Sequence, residues 1–163
     1  MSIGDDGVAW KASWAKQDIV TNPGQFAEVL YRPFDIRWTY YTGKSSGLMA
    51  RPRMPEAANL LKDNIALLAV RNTRRDMSNN YFVTSTLVDK DGISSFDNCR
   101  FFPLFVYKTS LGVEECIPNL NKEIVTRIEQ ILGEKISPTN LFDYIYAALY
   151  CPKYREVYKE FLK

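Results

Sequence analysis

The spacing of the apolar residues changes about two-thirds of the way along this chain, and that change restricts the folds open to it. From Phe26 to Tyr107 they come in short runs rich in β-branched and aromatic side chains: Phe26–Tyr31, Ile36–Tyr41, Ile65–Val70, Tyr81–Val88 and Arg100–Tyr107. Runs of this kind, bounded by polar and glycine-rich stretches such as Thr42–Gly47 and Asp89–Gly92, predict strands and turns. The Ile65–Val70 run is almost unbroken, as in a strand covered on both faces. From Asn121 onward the apolar residues recur three and four apart instead. Ile124, Val125, Ile128, Ile131 and Leu132 mark one helical face that Gly133 ends. Ser137-Pro138 caps and starts a second helix, and Pro152 starts a third. Strands followed by helices predict an α/β (α+β) fold: a mixed β-sheet with short helices, then a C-terminal group of about three helices. The expected division is an N-terminal arm or linker over 1–25, a mixed-sheet core over 26–110, and a C-terminal helical part of the same domain over 111–163.

Three regions need separate expectations. Trp10 and Trp14, four apart, either stack on one helical face or belong to an irregular arm. Pro52 to Lys62 predicts a short helix with Met54, Ala57, Ala58 and Leu61 on one side. Arg100 to Tyr107 is expected to be the last strand, with Pro103 near its start or at a bulge.

Charge is distributed very unevenly. The whole chain carries a formal net charge of only +2. Residues 32–75 hold nine Lys and Arg against three acids (Asp35, Glu56 and Asp63). Within that stretch, Tyr31 to Tyr41 interleaves arginines, aromatics and a proline. A localised cationic surplus points to a polyanionic partner, most simply nucleic acid. The candidate DNA-binding residues are Arg32, Arg37, Lys44, Arg51, Arg53, Arg71, Asn72, Arg74 and Arg75. Arginine forks hold phosphates or guanine edges, and asparagine can read adenine. The competing expectation for Phe34, Asp35 and Trp38 is structural: the two aromatics in the core, and Asp35 paired with Arg32 or Arg37 to lock the bend. A protein-interaction or structural module with solvated arginines remains an alternative. So does a single-strand binder that stacks bases on Trp38, Tyr40 and Tyr41.

Other chemistry is thinly supported. There is no histidine, the commonest general base and metal ligand. Three widely spaced cysteines (Cys99, Cys116 and Cys151) predict reduced thiols. Gly43-Lys44-Ser45 lacks the glycine that a P-loop needs five residues earlier, where Trp38 stands. Asn22-Pro23-Gly24-Gln25-Phe26 departs from the amino-methyltransferase pattern and has no glycine-rich cofactor loop upstream. Met1 to Gly7 carries acids where a signal peptide needs positive charge, and no apolar run reaches membrane-spanning length. The expected setting is cytoplasmic, without a membrane partner.

The run Tyr31-Arg32-Pro33-Phe34-Asp35-x-Arg37-x-x-Tyr40-Tyr41 resembles the C-terminal specificity domain of type ISP restriction–modification enzymes and related single-chain restriction–methyltransferases. Also similar are Arg51-Pro52-Arg53, Asn64-Ile65-x-Leu67 leading to Arg71, Phe82-Val83-Thr84, Phe102-Pro103-Leu104-x-x-Tyr107 and Ile136-Ser137-Pro138 with Phe142-Asp143-Tyr144. The resemblance covers about residues 26–162. Asn59 stands where relatives often carry histidine, and Phe105-Val106 where Tyr-Leu is more usual. The resemblance implies a sequence-specific double-stranded DNA recognition module without catalytic residues of its own. It implies that the methyltransferase and nuclease domains of a parent enzyme are its partners. S-adenosylmethionine, Mg2+ and ATP would be cofactors of that parent, with none in this chain.

Overall fold

The computed structural model describes residues 10–70, 81–93 and 98–162. Helix α1 (Ala12–Thr21) leads into the hairpin β1 (Gln25–Arg32) and β2 (Asp35–Tyr41), followed by a 3-10 helix over Glu56–Leu61. Then come β3 (Ala66–Val70), β4 (Tyr81–Thr84), β5 (Leu87–Val88), β6 (Cys99–Pro103), β7 (Phe105–Ser110) and β8 (Val113–Pro118). Helices α2 (Lys122–Leu132), α3 (Pro138–Tyr150) and α4 (Pro152–Val157) close the chain. The α+β expectation holds, with parallel and antiparallel pairing both present. The strands are shared among three small sheets ordered β2-β1-β5, β4-β3-β6 and β7-β8. The first sheet is the mixed one, since β5 runs parallel to β1.

Two sequence runs expected as single strands are each divided, and side chains explain both breaks. Tyr81–Val88 splits at Ser85-Thr86. The Thr86 backbone N–H donates to the Thr84 hydroxyl at 3.2 Å, and the two threonine hydroxyls lie 3.0 Å apart. This local bonding competes with the ladder, so the chain leaves β3 and joins β1 instead. Arg100–Tyr107 breaks at Leu104. There the Asn64 amide plays the part of a strand edge. It accepts from Phe105 N at 3.1 Å and donates to Phe105 O at 2.8 Å. Buried Asn59 extends the same device by accepting from Tyr107 N at 2.8 Å. Beyond it the hairpin turns at Leu111 (φ 50°) and Gly112 (φ 78°), the paired left-handed geometry of a tight two-residue turn. The resulting β8 was not among the expected strands, and its hairpin with β7 straddles residue 110.

The core lies where the first two sheets meet the 3-10 helix. Val29 of β1, Leu60 of the 3-10 helix, Leu68 of β3, Leu87 of β5 and Cys99 of β6 belong to one buried cluster. Burial pushes the Cys99 thiol up to about 11, so it packs as an apolar side chain. Within the N-terminal segment, Ala12–Thr21 form a helix, and Trp10 lies before its start. Helices α2 and α3 are capped by side chains, Ser137 as expected and Asn121 in addition. The Asn121 side chain accepts from Glu123 N and Ile124 N at 2.9 and 3.2 Å, and Gly133 ends α2 at φ 77°. Ser137 caps α3 through Asn140 N at 3.1 Å. Asn121→Ala removes one such cap and is expected to lower the unfolding free energy by about 1 kcal/mol in urea denaturation. No helix among the described residues is long and apolar enough to cross a membrane.

Candidate nucleic-acid interface

The arginines of the β1–β2 hairpin are held by the chain itself. Asp35 takes Arg37 in a two-toothed grip, with distances of 2.8 to 3.2 Å, and the guanidinium lies 3.8 Å from the centre of the Tyr31 ring. That hydrogen bonding holds the Asp35 carboxyl below its ordinary value and raises Arg37. Arg32 also stacks on Tyr31, at 4.2 Å, and reaches Asp89 at 3.6 Å. The expected Asp35 lock is therefore present, with Arg37 as its partner. The two aromatics behave differently from expectation. Phe34, left-handed at φ 65°, is 93% exposed and Trp38 is 69% exposed. Strand alternation puts Phe26, Glu28, Ile36, Trp38 and Tyr40 on the outer face of the first sheet. Tyr41 faces the core, 4% exposed, and its hydroxyl donates to Pro52 O at 2.9 Å. Trp38, Tyr40 and Tyr41 therefore do not make one stacking platform.

The loop from Thr42 to Pro55 carries Lys44, Arg51 and Arg53, and Asp18 of α1 shapes its first half. Asp18 is 2% exposed. Its Oδ2 accepts from the Thr42 hydroxyl and from the Leu48 backbone N–H, both at 2.8 Å, while Oδ1 accepts from the Asn22 amide at 2.8 Å. Burial alone would raise its pKa. Those three donors and the charge of Lys44 outweigh burial and hold it below the usual carboxylate value. Gly47 packs directly on this carboxylate, and Trp10 donates to Leu48 O at 3.0 Å. The consequence is a basic loop pinned at one point, with Lys44 and Arg51 exposed.

Arg53 has a different environment. Left-handed at φ 59°, it turns its half-buried guanidinium onto the Phe101 ring, 4.7 Å away. Nη2 donates to Cys99 O at 2.7 Å, whereas Nη1 is buried without a hydrogen-bond partner. Burial pulls its pKa down, and the neighbouring charge of Arg100 adds to that pull. Cys99 pairs with Val70 at the last residue of β3, and Arg100 pairs with Ala69. Ala69 also pairs with Tyr81 at the start of β4. One end of the second sheet thus gathers Arg53 and Arg100, with Arg51 two residues away along the chain. β3 ends at Val70 and β4 begins at Tyr81 at this same end. Arg71, Asn72, Arg74 and Arg75 lie outside the described residues.

Sequence reasoning missed Asp18, Gly47 and Arg100. The alternation of β6, with Cys99 and Phe101 inward and Arg100 and Phe102 outward, was the available signal for Arg100. Asp18 had none, because an acid on a helix ordinarily faces water. Among the described residues there is no group of three or more His, Cys, Asp or Glu side chains that could hold a metal ion.

The sequence profile of the Type ISP C-terminal specificity domain matches residues 3–163. Two solved structures share the fold. One, described as a DrdV–DNA complex, aligns with a TM-score of 0.63 at 24% identity over 82% of this chain and 12% of that one. The other is the ATP-dependent Type ISP restriction-modification enzyme LlaBIII bound to DNA. It aligns at 0.65 and 16% identity over 94% of this chain and 10% of that one. At these identities the likeness is one of fold, and this chain spans only about a tenth of the length of either of those chains. No curated protein matches it.

Proposed function

Because the chain belongs to the Type ISP C-terminal specificity domain family, we propose that it recognises double-stranded DNA on behalf of a restriction–modification enzyme. The observation that carries this reading is the meeting of half-buried Arg53 and exposed Arg100 at one end of the β4-β3-β6 sheet, with Arg53 on the same pinned loop that bears the exposed Lys44 and Arg51. Phosphate contacts there set the register, and a small number of side chains reach base edges. Arg32 and Arg37 act from behind, holding the hairpin rather than the duplex, since their guanidinium groups are already paired and stacked. The outer face of the first sheet offers Phe26, Ile36 and Trp38 around Glu28 and carries no cation, so a polyanion is assigned to the cationic end and not to this face.

The covalent steps belong to other domains under this proposal. An adenine methyltransferase using S-adenosylmethionine, and a nuclease with Mg2+ and an ATP-driven motor, are the partners that the type ISP resemblance implies. This chain would align the target for them in the cytoplasm, where duplex DNA is found. The structures of DrdV and LlaBIII in complex with DNA support the duplex as ligand.

The test is fluorescence anisotropy of the chain with labelled duplex and single-stranded oligonucleotides across a salt series. Duplex is expected to bind more tightly than single strand. Lys44→Gln with Arg51→Gln is expected to reduce the log–log salt slope by about 1.8, roughly 0.9 for each lost phosphate contact. A chain that shows no salt-dependent retention of duplex sinks the reading. Preference for single strands, abolished by Trp38→Ala, would favour base stacking instead.

A further inference from the structure

We propose that Arg53 and Arg100 together bind a phosphodiester group at the mouth of the cleft between the 3-10 helix, β6 and the β7–β8 hairpin. The inference rests on the duplex-recognition reading and extends the contact surface to a residue outside the basic stretch 32–75.

The cleft measures about 820 Å3, and Arg53, Arg100, Phe101 and Phe102 are among the residues that line it. Two like charges occupy one wall. Such an arrangement costs free energy unless an anion offsets it. The chain's own carboxylates do so only at a distance: Glu56 and Asp89 act on Arg53 through space, but none of the ion pairs among the described residues involves Arg53 or Arg100. Glu56 lines the same cleft but stays beyond ion-pairing distance of both. By contrast Lys62, farther along the cleft, is neutralised by Glu114 at 2.8 Å. Of the cations that line the cleft, Arg53, Arg100 and Lys108 thus have no ion-pair partner among the described residues, and Arg53 and Arg100 lie together at one end of β6.

Arg53 brings a second, independent sign. One of its terminal nitrogens is anchored on the Cys99 carbonyl and the other, Nη1, is a buried donor with no acceptor. Native folds leave few such donors unmet, and those that occur tend to mark function. The anchor fixes the guanidinium plane against Phe101, so little side-chain freedom remains to be lost on binding. Arg100 is exposed on the outer face of β6 and free to swing. A fixed arginine beside a mobile one is suited to an anion, because charge-assisted bonds from arginine to phosphate oxygens are among the strong ones. A phosphodiester carries one charge and fits this pair.

The experiment uses Arg100→Gln in the full chain, chosen because this side chain is exposed and bonds to nothing else among the described residues. Its thermal melt should match the wild type. Binding to labelled duplex is followed by anisotropy over a salt series, and the Nε–Hε signals of Arg53 and Arg100 are followed by NMR during titration with inorganic phosphate. The expected result is a salt slope smaller by about 0.9, together with phosphate-dependent shifts at both arginines in the wild type. Loss of the Arg53 shift in Arg100→Gln would show that the two act together. If wild type binds duplex and Arg100→Gln keeps the full slope, the inference is overturned. If wild type does not bind duplex at all, the recognition reading fails separately and the phosphate titration decides. Shifts at Arg53 and Arg100 then support the anion site, and their absence removes it.

Discussion

Asp18→Ala is expected to lower the unfolding free energy by about 4 kcal/mol and to weaken duplex binding as well. The substitution removes the acceptor for three donors at once, the Thr42 hydroxyl, the Leu48 N–H and the Asn22 amide. Hydrogen bonds to a charged acceptor contribute about 1.5–3 kcal/mol each, and donors left buried and unmet add their own desolvation cost. Part of the loss is recovered because a buried carboxylate no longer has to be desolvated. The effect reaches the candidate interface because Thr42 and Leu48 flank Lys44. Without their common anchor the loop samples more conformations, and ordering it again on DNA costs affinity. Urea denaturation measures the first effect and duplex anisotropy the second. Unchanged stability would remove Asp18 as the pin.

The pH dependence of that difference has a definite sign. The folded-state pKa of Asp18 lies below the ordinary aspartate value of 3.8. The native state therefore holds the proton less readily than the unfolded chain, and the carboxylate contributes fully above that value. Its contribution fades as pH falls below 3.8 toward the folded-state pKa. The stability gap between wild type and Asp18→Ala should be flat around neutrality and narrow only in acid.

What the sequence disclosed follows the range of the interactions involved. The cap of α3 uses residues within three positions of the helix start, so Ser137 declares itself locally. The β1–β2 hairpin was legible for the same reason, since Asp35 and Arg37 are two residues apart. Strand β8 was hidden because most of Val113–Pro118 is exposed, and nothing selects an alternating pattern there. The division of Tyr81–Val88 depended on two threonine hydroxyls that suit a strand equally well. In the candidate site the surplus charge was visible as composition, but its disposition was not. Asp89 meets Arg32 from far along the chain, Cys99 holds Arg53 across 46 residues, and Asp18 meets Leu48 across 30. Which arginines are occupied and which are free is a property of those long-range contacts alone.

Gly47→Ala provides the sharpest test of the same anchor, because it acts from the loop's side without removing any hydrogen-bonding group. A Cβ placed on Gly47 would overlap Oδ2 of Asp18, and Gly47 is itself buried. Either the carboxylate gives up its bonds to Thr42 and Leu48 or the loop lifts away from α1. Overpacking of this kind costs about 3 kcal/mol. The decisive measurement is a double-mutant cycle. With Asp18 already replaced by alanine, the space taken by the carboxylate is free, and adding Gly47→Ala should cost under about 1 kcal/mol more. The coupling between the two positions would then be about 2 kcal/mol, at the upper end of what contacting residues show. Additive losses would mean that Gly47 is required for some reason other than the carboxylate behind it. In that case the Lys44–Arg51 loop would owe its shape to its own backbone, and DNA affinity should survive Asp18→Ala.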